Sequence, residues 1–297
     1  MRVLTIVRVL INNLVAIFCA FKNIGQIKRN HSKFIAYNIA TGRELSFVIS
    51  LTSYPARYNI LYYTLISLLS QKSKYIYVVD LWIARSDYDS LPRKIQNLQH
   101  KYNGFLNIKK CEDYGSLKKI ESFSEYANGL QAEAILTADD DLYYPSHWLS
   151  LLVNGFITNN LSVFCCRARI LTLASDSQVE KYSEWTPVQI FDRSSDNQIL
   201  FFTGVGGVIY PRDLCCKIYQ SIDNYRKDYI NADDILLNYL ALMNGYDIRL
   251  VNNNITFEEW WPAIANALGK ANVGNGRNDK ILSLAYLDLI KSKLIKL

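Results

Sequence analysis

The chain has 297 residues, half of them hydrophobic and a fifth charged, with a net charge of +6 and a sequence pI near 8.8. That length suits one large α/β domain, with or without a terminal appendage, and the composition excludes a disordered chain. The positive balance favours anionic partners, but zinc-finger spacing, a run of clustered arginines and an RNA-binding signature are all missing, so nucleic acid is not expected among them.

The first element is the apolar stretch from Val3 to Phe21, interrupted by Arg8, Asn12 and Asn13. A spanning helix needs about 20 mostly apolar residues and tolerates a central arginine poorly. On a helix, Leu4, Val7, Ile11, Leu14 and Phe18 share one face, Arg8 and Asn12 another, and Lys22, Lys28 and Arg29 follow. Residues 1–30 therefore read as a helix lying in a membrane interface with basic flanks toward anionic headgroups. An uncleaved signal-anchor and a helix packed on the domain are the alternatives.

From Leu45 onward strand and helix patterns alternate. Leu45–Leu51 reads as a buried parallel strand, Thr52–Arg57 as a turn, Ile60–Ser70 as a helix, and Tyr75–Ile83 as a strand. Leu91–Tyr102 follows as a helix, Leu106–Lys110 as a strand, Ser116–Gly129 as a helix, and Ala134–Thr137 as a strand running into an acidic triplet. This alternation predicts βαβ units and a mostly parallel sheet flanked by helices, with ligands at the carboxyl ends of the strands. Further on, Phe201–Pro211 reads as one glycine-punctuated strand, Ile235–Met243 as a helix opened by Asp233-Asp234, and Asp247–Val251 as a late strand. No repeat or low-complexity linker divides the chain, so residues 45–285 are read as one catalytic domain. Residues Ile281–Leu297, with 286–297 as its end, suit a basic amphipathic helix either on a membrane or packed on the domain.

The six cysteines include the adjacent pairs Cys165-Cys166 and Cys215-Cys216, beside Cys19 and Cys111. None has metal-site spacing. They read as buried thiols in a reducing compartment, which points to the cytoplasm.

Five features carry candidate chemistry. Three consecutive carboxylates, Asp139, Asp140 and Asp141, repel one another after a buried strand, and Mg²⁺ or Mn²⁺ would relieve the repulsion and bridge to a diphosphate. On an extended chain Asp139 and Asp141 would share a face; a solvated turn or a helix cap is the plain alternative. Asp113 with Lys118 and Lys119 could meet a base, ribose and phosphate, or be an N-cap followed by surface lysines. Gly204 to Gly207 let backbone approach a ligand closely, or form a sheet bulge. Asp233-Asp234 at a helix start could supply a general base, or simply suit the helix dipole. Tyr182, Trp185, Trp260 and Trp261 could stack on sugars, or fill the core.

Taken in order, several segments resemble bacterial GT-A glycosyltransferases related to family 2. They are Ser50–Arg57, Leu81–Ala84, Asp113 through Ser116 to Lys119, Thr137–Pro145 with Trp148, Gly204–Pro211, Ala232–Ile235 and Asn278–Lys280. The resemblance spans roughly residues 45–285 and implies an α/β GT-A fold, Rossmann-like, acting in surface polysaccharide or lipopolysaccharide assembly; with the cysteine usage and the N-terminal helix, the expected place is the cytoplasm, peripheral on the inner face of the cell membrane. It implies that Thr52, Ser53 and Arg57 line a nucleotide pocket, Asp113 meets the base or ribose, and Lys119 approaches the diphosphate. Asp139 and Asp141 would hold Mn²⁺ or Mg²⁺, with Asp141 the direct ligand. Gly206 and Gly207 would border the donor sugar, and Asp233-Asp234 would supply the base of an inverting transfer. The acidic pair is Asp-Asp rather than the commoner Glu-Asp, and His31, His100 and His147 all lie too early to act as a late histidine ligand. A UDP-sugar donor and a glycan or lipid-linked glycan acceptor follow. A non-catalytic, membrane-associated carbohydrate-binding module on the same fold is the alternative; a third reading, a metal-dependent phosphotransferase or hydrolase using the same acids, is disfavoured by the missing phosphate loop and the poor match to phosphatase motifs.

Overall fold

The computed structural model describes residues 10–11, 13–18, 21–39, 46–175, 178–188, 199–251, 255 and 257–260, together with positions 279, 281, 282 and 286. Its centre is a seven-stranded sheet. The strands are β1 (Ser46–Thr52), β2 (Ile76–Ala84), β3 (Leu106–Cys111), β4 (Ala134–Ala138), β5 (Ser162–Cys165), β6 (Val208–Pro211) and β7 (Asp247–Leu250), in the spatial order β7-β5-β6-β4-β1-β2-β3. All pairings are parallel except those of β6, which runs antiparallel to both β4 and β5. The expected α/β architecture with a mostly parallel sheet is thus present.

The inner strands are largely apolar on both faces because both faces are covered, whereas the edge strands β3 and β7 carry the charged residues Lys109, Lys110, Asp247 and Arg249. In β1, Phe47, Ile49 and Leu51 join one core and Val48 the other. The first core receives Ile27 of α1 (Ile24–Ile39) and the buried sides of α2 (Tyr58–Leu69), α3 (Arg93–Lys101) and α4 (Trp148–Thr158). The second receives the segment Gly115–Tyr126, α5 (Arg212–Ser221) and α6 (Asp233–Met243).

Two sequence expectations are corrected here. Ser116–Gly129 does not form an α-helix; Gly115–Tyr126 is 3₁₀. Its buried apolar residues are Leu117, Ile120, Phe123 and Tyr126, one every three positions. That period matches three residues per turn, whereas an α-helix would rotate this stripe out of the core. Phe201–Pro211 is not one strand either. Leu200–Phe202 pairs with Ala168–Ile170 in a small three-stranded sheet, Val208–Pro211 enters the central sheet, and Gly204–Gly207 makes the break. Gly206 and Gly207 adopt φ of +93° and +94°, a region open to glycine and awkward for a strand.

Among the described N-terminal residues, 10, 11 and 13–18 are helical. Asn13 Nδ2 donates to the Glu259 carbonyl at 3.0 Å, and Ala16 and Ile17 pack with Ile60, Tyr63 and Trp260. Of the apolar face expected there, Ile11, Leu14 and Phe18 are exposed, while Leu4, Val7, Arg8 and Asn12 lie outside the described residues. No helix among the described residues is long and apolar enough to cross a membrane. Most of the C-terminal helix expected over 281–297 also lies outside them; Leu282 and Tyr286 are helical and buried in the second core.

Helix α6 is tied to the small sheet by Asn238, which is fully buried. Its Oδ1 accepts the Phe202 N–H at 2.9 Å, and its Nδ2 donates to the Phe202 carbonyl at 2.9 Å. Asn238→Ala would leave two buried backbone groups without partners. The expected loss is about 3 kcal/mol, read as a lower urea midpoint at unchanged slope; a loss below about 1 kcal/mol would mean that water replaces the side chain.

Candidate active site

In the strand order β3-β2-β1-β4, the chain reverses direction of travel across the sheet between β1 and β4. A crevice opens at such a switch point beyond the carboxyl ends of the strands. Here it is a cavity of about 600 Å³, lined by Thr52, Ser53, Tyr54 and Arg57 after β1, Asp113 after β3, Asp139 to Asp141 after β4, Lys118 and Lys119 of the 3₁₀ segment, and Asp233 and Asp234 at the start of α6.

The acidic triplet is built as a turn. Asp139, Asp140 and Asp141 follow the last residue of β4, and the chain bends at Asp140-Asp141. Asp139 and Asp141 both line the cavity, though on a turn rather than on the extended chain expected, and they have different partners. It is the adjacent Asp140 and Asp141 that both pair with Arg57 Nη1, Asp140 Oδ1 at 2.8 Å. Asp140 is buried, and its second oxygen accepts from Ser53 Oγ at 2.5 Å. The Thr64 hydroxyl donates to the carbonyls of Asp140 (2.9 Å) and Leu142 (3.0 Å) and accepts from Trp260 Nε1 (2.8 Å), which holds the turn from behind. The Tyr144 hydroxyl accepts the Asp139 N–H at 2.7 Å.

Lys119 joins the two acidic groups. Its Nζ lies 2.9 Å from Asp139 Oδ1 and 2.7 Å from Asp233 Oδ2, and the side chain is buried. Burial would lower its pKa, but Asp139, Asp233 and Asp234 hold it well above the usual lysine range, so it stays charged. Lys118, also buried, meets Asp113 Oδ1 at 2.6 Å, and the same oxygen accepts the Gly115 N–H at 3.1 Å. The Lys118 ammonium and then the Gly115 bond hold the Asp113 carboxyl below its ordinary range against a small desolvation. Asp113 is thus an exposed turn residue and a wall of the cavity at once.

The neighbours Asp233 and Asp234 stand in opposite environments. Burial acts to raise Asp233, but Lys119 overrides it and holds the carboxyl below the usual value. Asp234 accepts the Gly204 N–H at 2.9 Å, and burial, with Asp233 beside it, pushes it up to about 7. Gly204 is required there: a Cβ would stand 2.5 Å from Asp234 Oδ1. Gly206 and Gly207 are not on the cavity wall. A Cβ on Gly207 would meet Trp148 at 2.5 Å, the Gly206 carbonyl accepts Trp148 Nε1 at 2.6 Å, and Val205 is the residue of this loop that reaches the cavity.

The remaining candidates divide. Thr52 lines the cavity while its hydroxyl donates to the Trp82 carbonyl at 2.8 Å. Trp185 and Trp260 are buried core residues, Tyr182 is partly buried against Trp185 and Phe201, and Trp261 lies outside the described residues. Sequence reasoning gave no role to Ser116, Asn231, Asp87 or Glu259, which also line the cavity. Asn231 had one signal: asparagine tolerates left-handed backbone, and this one has φ of +61°, where its Oδ1 accepts the Ser116 N–H at 3.2 Å.

Whether the donors suit a divalent cation follows from their charges. Asp139, Asp140, Asp141, Asp233 and Asp234 face Arg57 and Lys119, five carboxylates against two cations. Burial, then the Asp139 and Asp140 charges, push Asp141 up to about 7 despite Arg57. An oxygen-only, negatively surplus donor set suits Mg²⁺ or Mn²⁺. Among the described residues no group of three or more acidic, histidine or cysteine side chains is arranged to hold a metal ion.

No family model matches the chain, and no curated protein sequence does. Similar solved structures include 4-diphosphocytidyl-2C-methyl-D-erythritol synthase from Anaerococcus prevotii DSM 20548, at 16% identity over 71% of this chain and 88% of that one, with a TM-score of 0.44. CMP:2-keto-3-deoxy-manno-octonic acid synthetase complexed with CTP matches at 11% identity over 80% and 100%, with a TM-score of 0.42. GalNAc-T7 with UDP, GalNAc and Mn²⁺ matches at 13% identity over 71% of this chain and 44% of that one, with a TM-score of 0.46. With TM-scores below 0.5 these likenesses carry no argument about this chain's chemistry, and the architecture stands on its own strand order.

Lys119→Met keeps the side-chain length and removes the charge shared by Asp139 and Asp233. In metal-free buffer the variant is expected to lose about 3–5 kcal/mol of stability in urea unfolding. A loss below about 1 kcal/mol would mean that solvent already screens both carboxylates.

Proposed function

We propose that this chain is a glycosyltransferase of the GT-A type. It would move a hexosyl group from a nucleoside-diphosphate donor, with UDP-sugar favoured, to a hydroxyl of a glycan or glycolipid, with inversion, in bacterial surface polysaccharide or lipopolysaccharide assembly. The observation that carries the reading is the convergence of Asp139–Asp141 with Asp233-Asp234 in one cavity at the sheet's switch point, with Lys119 between them. Polysaccharide or lipopolysaccharide assembly and inversion rest on the ordered motif resemblance.

Asp139 and Asp141 would hold Mn²⁺ or Mg²⁺, whose chemistry is to neutralise charge growing on a leaving diphosphate. The protein's own cations point the same way. Arg57 and Lys119 are fixed, charged donors at the floor of the cavity, and phosphate oxygens reaching them would exchange one set of anions for another. Thr52, Ser53 and Asp113 would border the nucleoside. Asp234 is the better base of its pair: burial and the Asp233 charge raise its proton affinity, and no lysine or arginine pairs with it among the described residues. It would take the acceptor hydroxyl proton as that oxygen bonds to the anomeric carbon and the nucleoside diphosphate leaves. Asp233, already paired with Lys119, would act as a positioning residue. Gly206 and Gly207 would act indirectly, by shaping the loop against Trp148.

The test is release of nucleoside diphosphate from a panel of UDP-, GDP- and TDP-sugars with Mn²⁺ and a glycolipid extract as acceptor. Wild type should turn over one donor. Asp234→Asn should lower kcat by about 10²–10⁴-fold with little change in donor KM, and Asp141→Asn should abolish metal-dependent donor binding. Donor turnover unaffected by Asp234→Asn would remove Asp234 from the reaction, and no turnover or binding of any donor would favour a carbohydrate-binding role.

A further inference from the structure

The N-terminal helix presents two unlike faces. One is fixed to the wall of the cavity: Asn13 bonds the carbonyl of Glu259, a lining residue, and Ala16 and Ile17 pack on Ile60 and Trp260. The other carries Leu10, Ile11, Leu14, Val15 and Phe18, at positions i, i+1, i+4, i+5 and i+8, exposed by 43–69%, with Phe21 continuing the stripe. Of the eleven exposed large hydrophobics among the described residues, six fall within residues 10–21; the other five are spread over residues 35–243. A contiguous stripe of this kind marks a contact surface, whereas scattered ones do not.

Charge identifies what the stripe meets. Residues 1–43 contain seven lysines and arginines and no aspartate or glutamate, and the chain's net charge is +6, so residues 44–297 carry a net −1. The whole positive excess therefore sits on the segment that bears the apolar stripe. Lys22, Lys28 and Arg29, just beyond it, are all exposed. Apolar side chains on one side with basic residues at the end form the pattern of a helix lying flat in an anionic interface, and no described helix is long and apolar enough to cross one. A second copy of this chain would have to offer the same stripe and the same charge, and the basic flanks would then repel.

We propose that residues 10–21 dock this protein on the surface of an anionic phospholipid bilayer, inserting Leu10, Ile11, Leu14, Val15 and Phe18 among the acyl chains while Asn13, Ala16 and Ile17 hold the cavity wall against it. This is independent of the transferase reading, because docking is measured without donor or acceptor.

The experiment is co-sedimentation of the full chain with phosphatidylcholine vesicles and with vesicles containing phosphatidylglycerol. Binding is expected on the anionic vesicles and about tenfold or more weaker on the neutral ones. The double substitution Leu14→Asp/Phe18→Asp should reduce partitioning on anionic vesicles by at least about tenfold, with a melting temperature within about 2 °C of wild type. Lys28→Glu/Arg29→Glu should weaken binding to the anionic vesicles alone, as should added salt. Equal partitioning of Leu14→Asp/Phe18→Asp and wild type, or no vesicle binding by wild type, would overturn the proposal. So would a dimer seen by light scattering that this variant dissolves while vesicle binding is unchanged.

Discussion

The site depends on one buried ammonium. Lys119 reaches from the 3₁₀ segment to Asp139 at the end of β4 and to Asp233 at the start of α6, so a single side chain sets the spacing between elements almost a hundred residues apart. A buried ion pair adds little net stability over a well-packed apolar alternative, because desolvation offsets most of the attraction. Its effect is geometric. An apolar contact tolerates sliding, whereas an ammonium between two carboxylates accepts one arrangement. The backbone of Lys119 is pinned as well: Ser50, a hydroxyl inside an otherwise apolar strand, donates to its carbonyl at 2.5 Å, and Ser122 and Trp82 extend that chain of bonds. The polar residue that breaks β1's apolar run is there to seat this segment.

The same arrangement concentrates like charges. Stability alone would not favour three adjacent carboxylates beside two more in a partly buried cavity. The surroundings limit the cost by giving each of the three a donor: Ser53 and Arg57 for Asp140, the same Arg57 for Asp141, and Lys119, shared with Asp233, for Asp139. Thr64 and Trp260 hold the backbone of the turn. What remains is a surplus of negative charge at a place where the sheet already opens a crevice. Local rules are broken and repaired by the residues packed around the turn, as is expected where a fold makes room for a ligand.

Much of this was legible in the chain. Leu45–Leu51 read as a buried strand because its period-free hydrophobicity is what a doubly covered sheet needs, and Tyr75–Ile83, Leu106–Lys110 and Ala134–Thr137 read as strands alternating with helices; ligands were expected at their carboxyl ends, where the cavity opens. The 3₁₀ segment was misread because Leu117, Ile120, Phe123 and Tyr126 satisfy a loose helical pattern, and only the exact spacing of three separates the two helices. The split at Gly204–Gly207 was hidden because glycines inside a β-rich run signal close approach without saying to what; the answer is Asp234 for Gly204 and Trp148 for Gly207. Arg57 as the clamp on Asp140 and Asp141 was out of reach, since pairing across 83 and 84 residues depends on the register of β1 beside β4.

The two acids that open α6 illustrate how neighbours acquire different chemistry. On a helix, successive residues point about 100° apart, so Asp233 and Asp234 face different walls. Asp233 meets a permanently charged amine, and its carboxylate is favoured. Around Asp234, burial and the Asp233 charge outweigh the attraction of Lys119 and the bond from the Gly204 amide, so its proton is held more tightly. Two groups of identical intrinsic acidity are driven apart by their surroundings, and that separation is how a site assigns one carboxylate to hold charge in place and the other to exchange a proton. The glycine at position 204 makes the difference possible, because only a residue without a side chain lets its amide approach the second acid while leaving that acid open to the cavity.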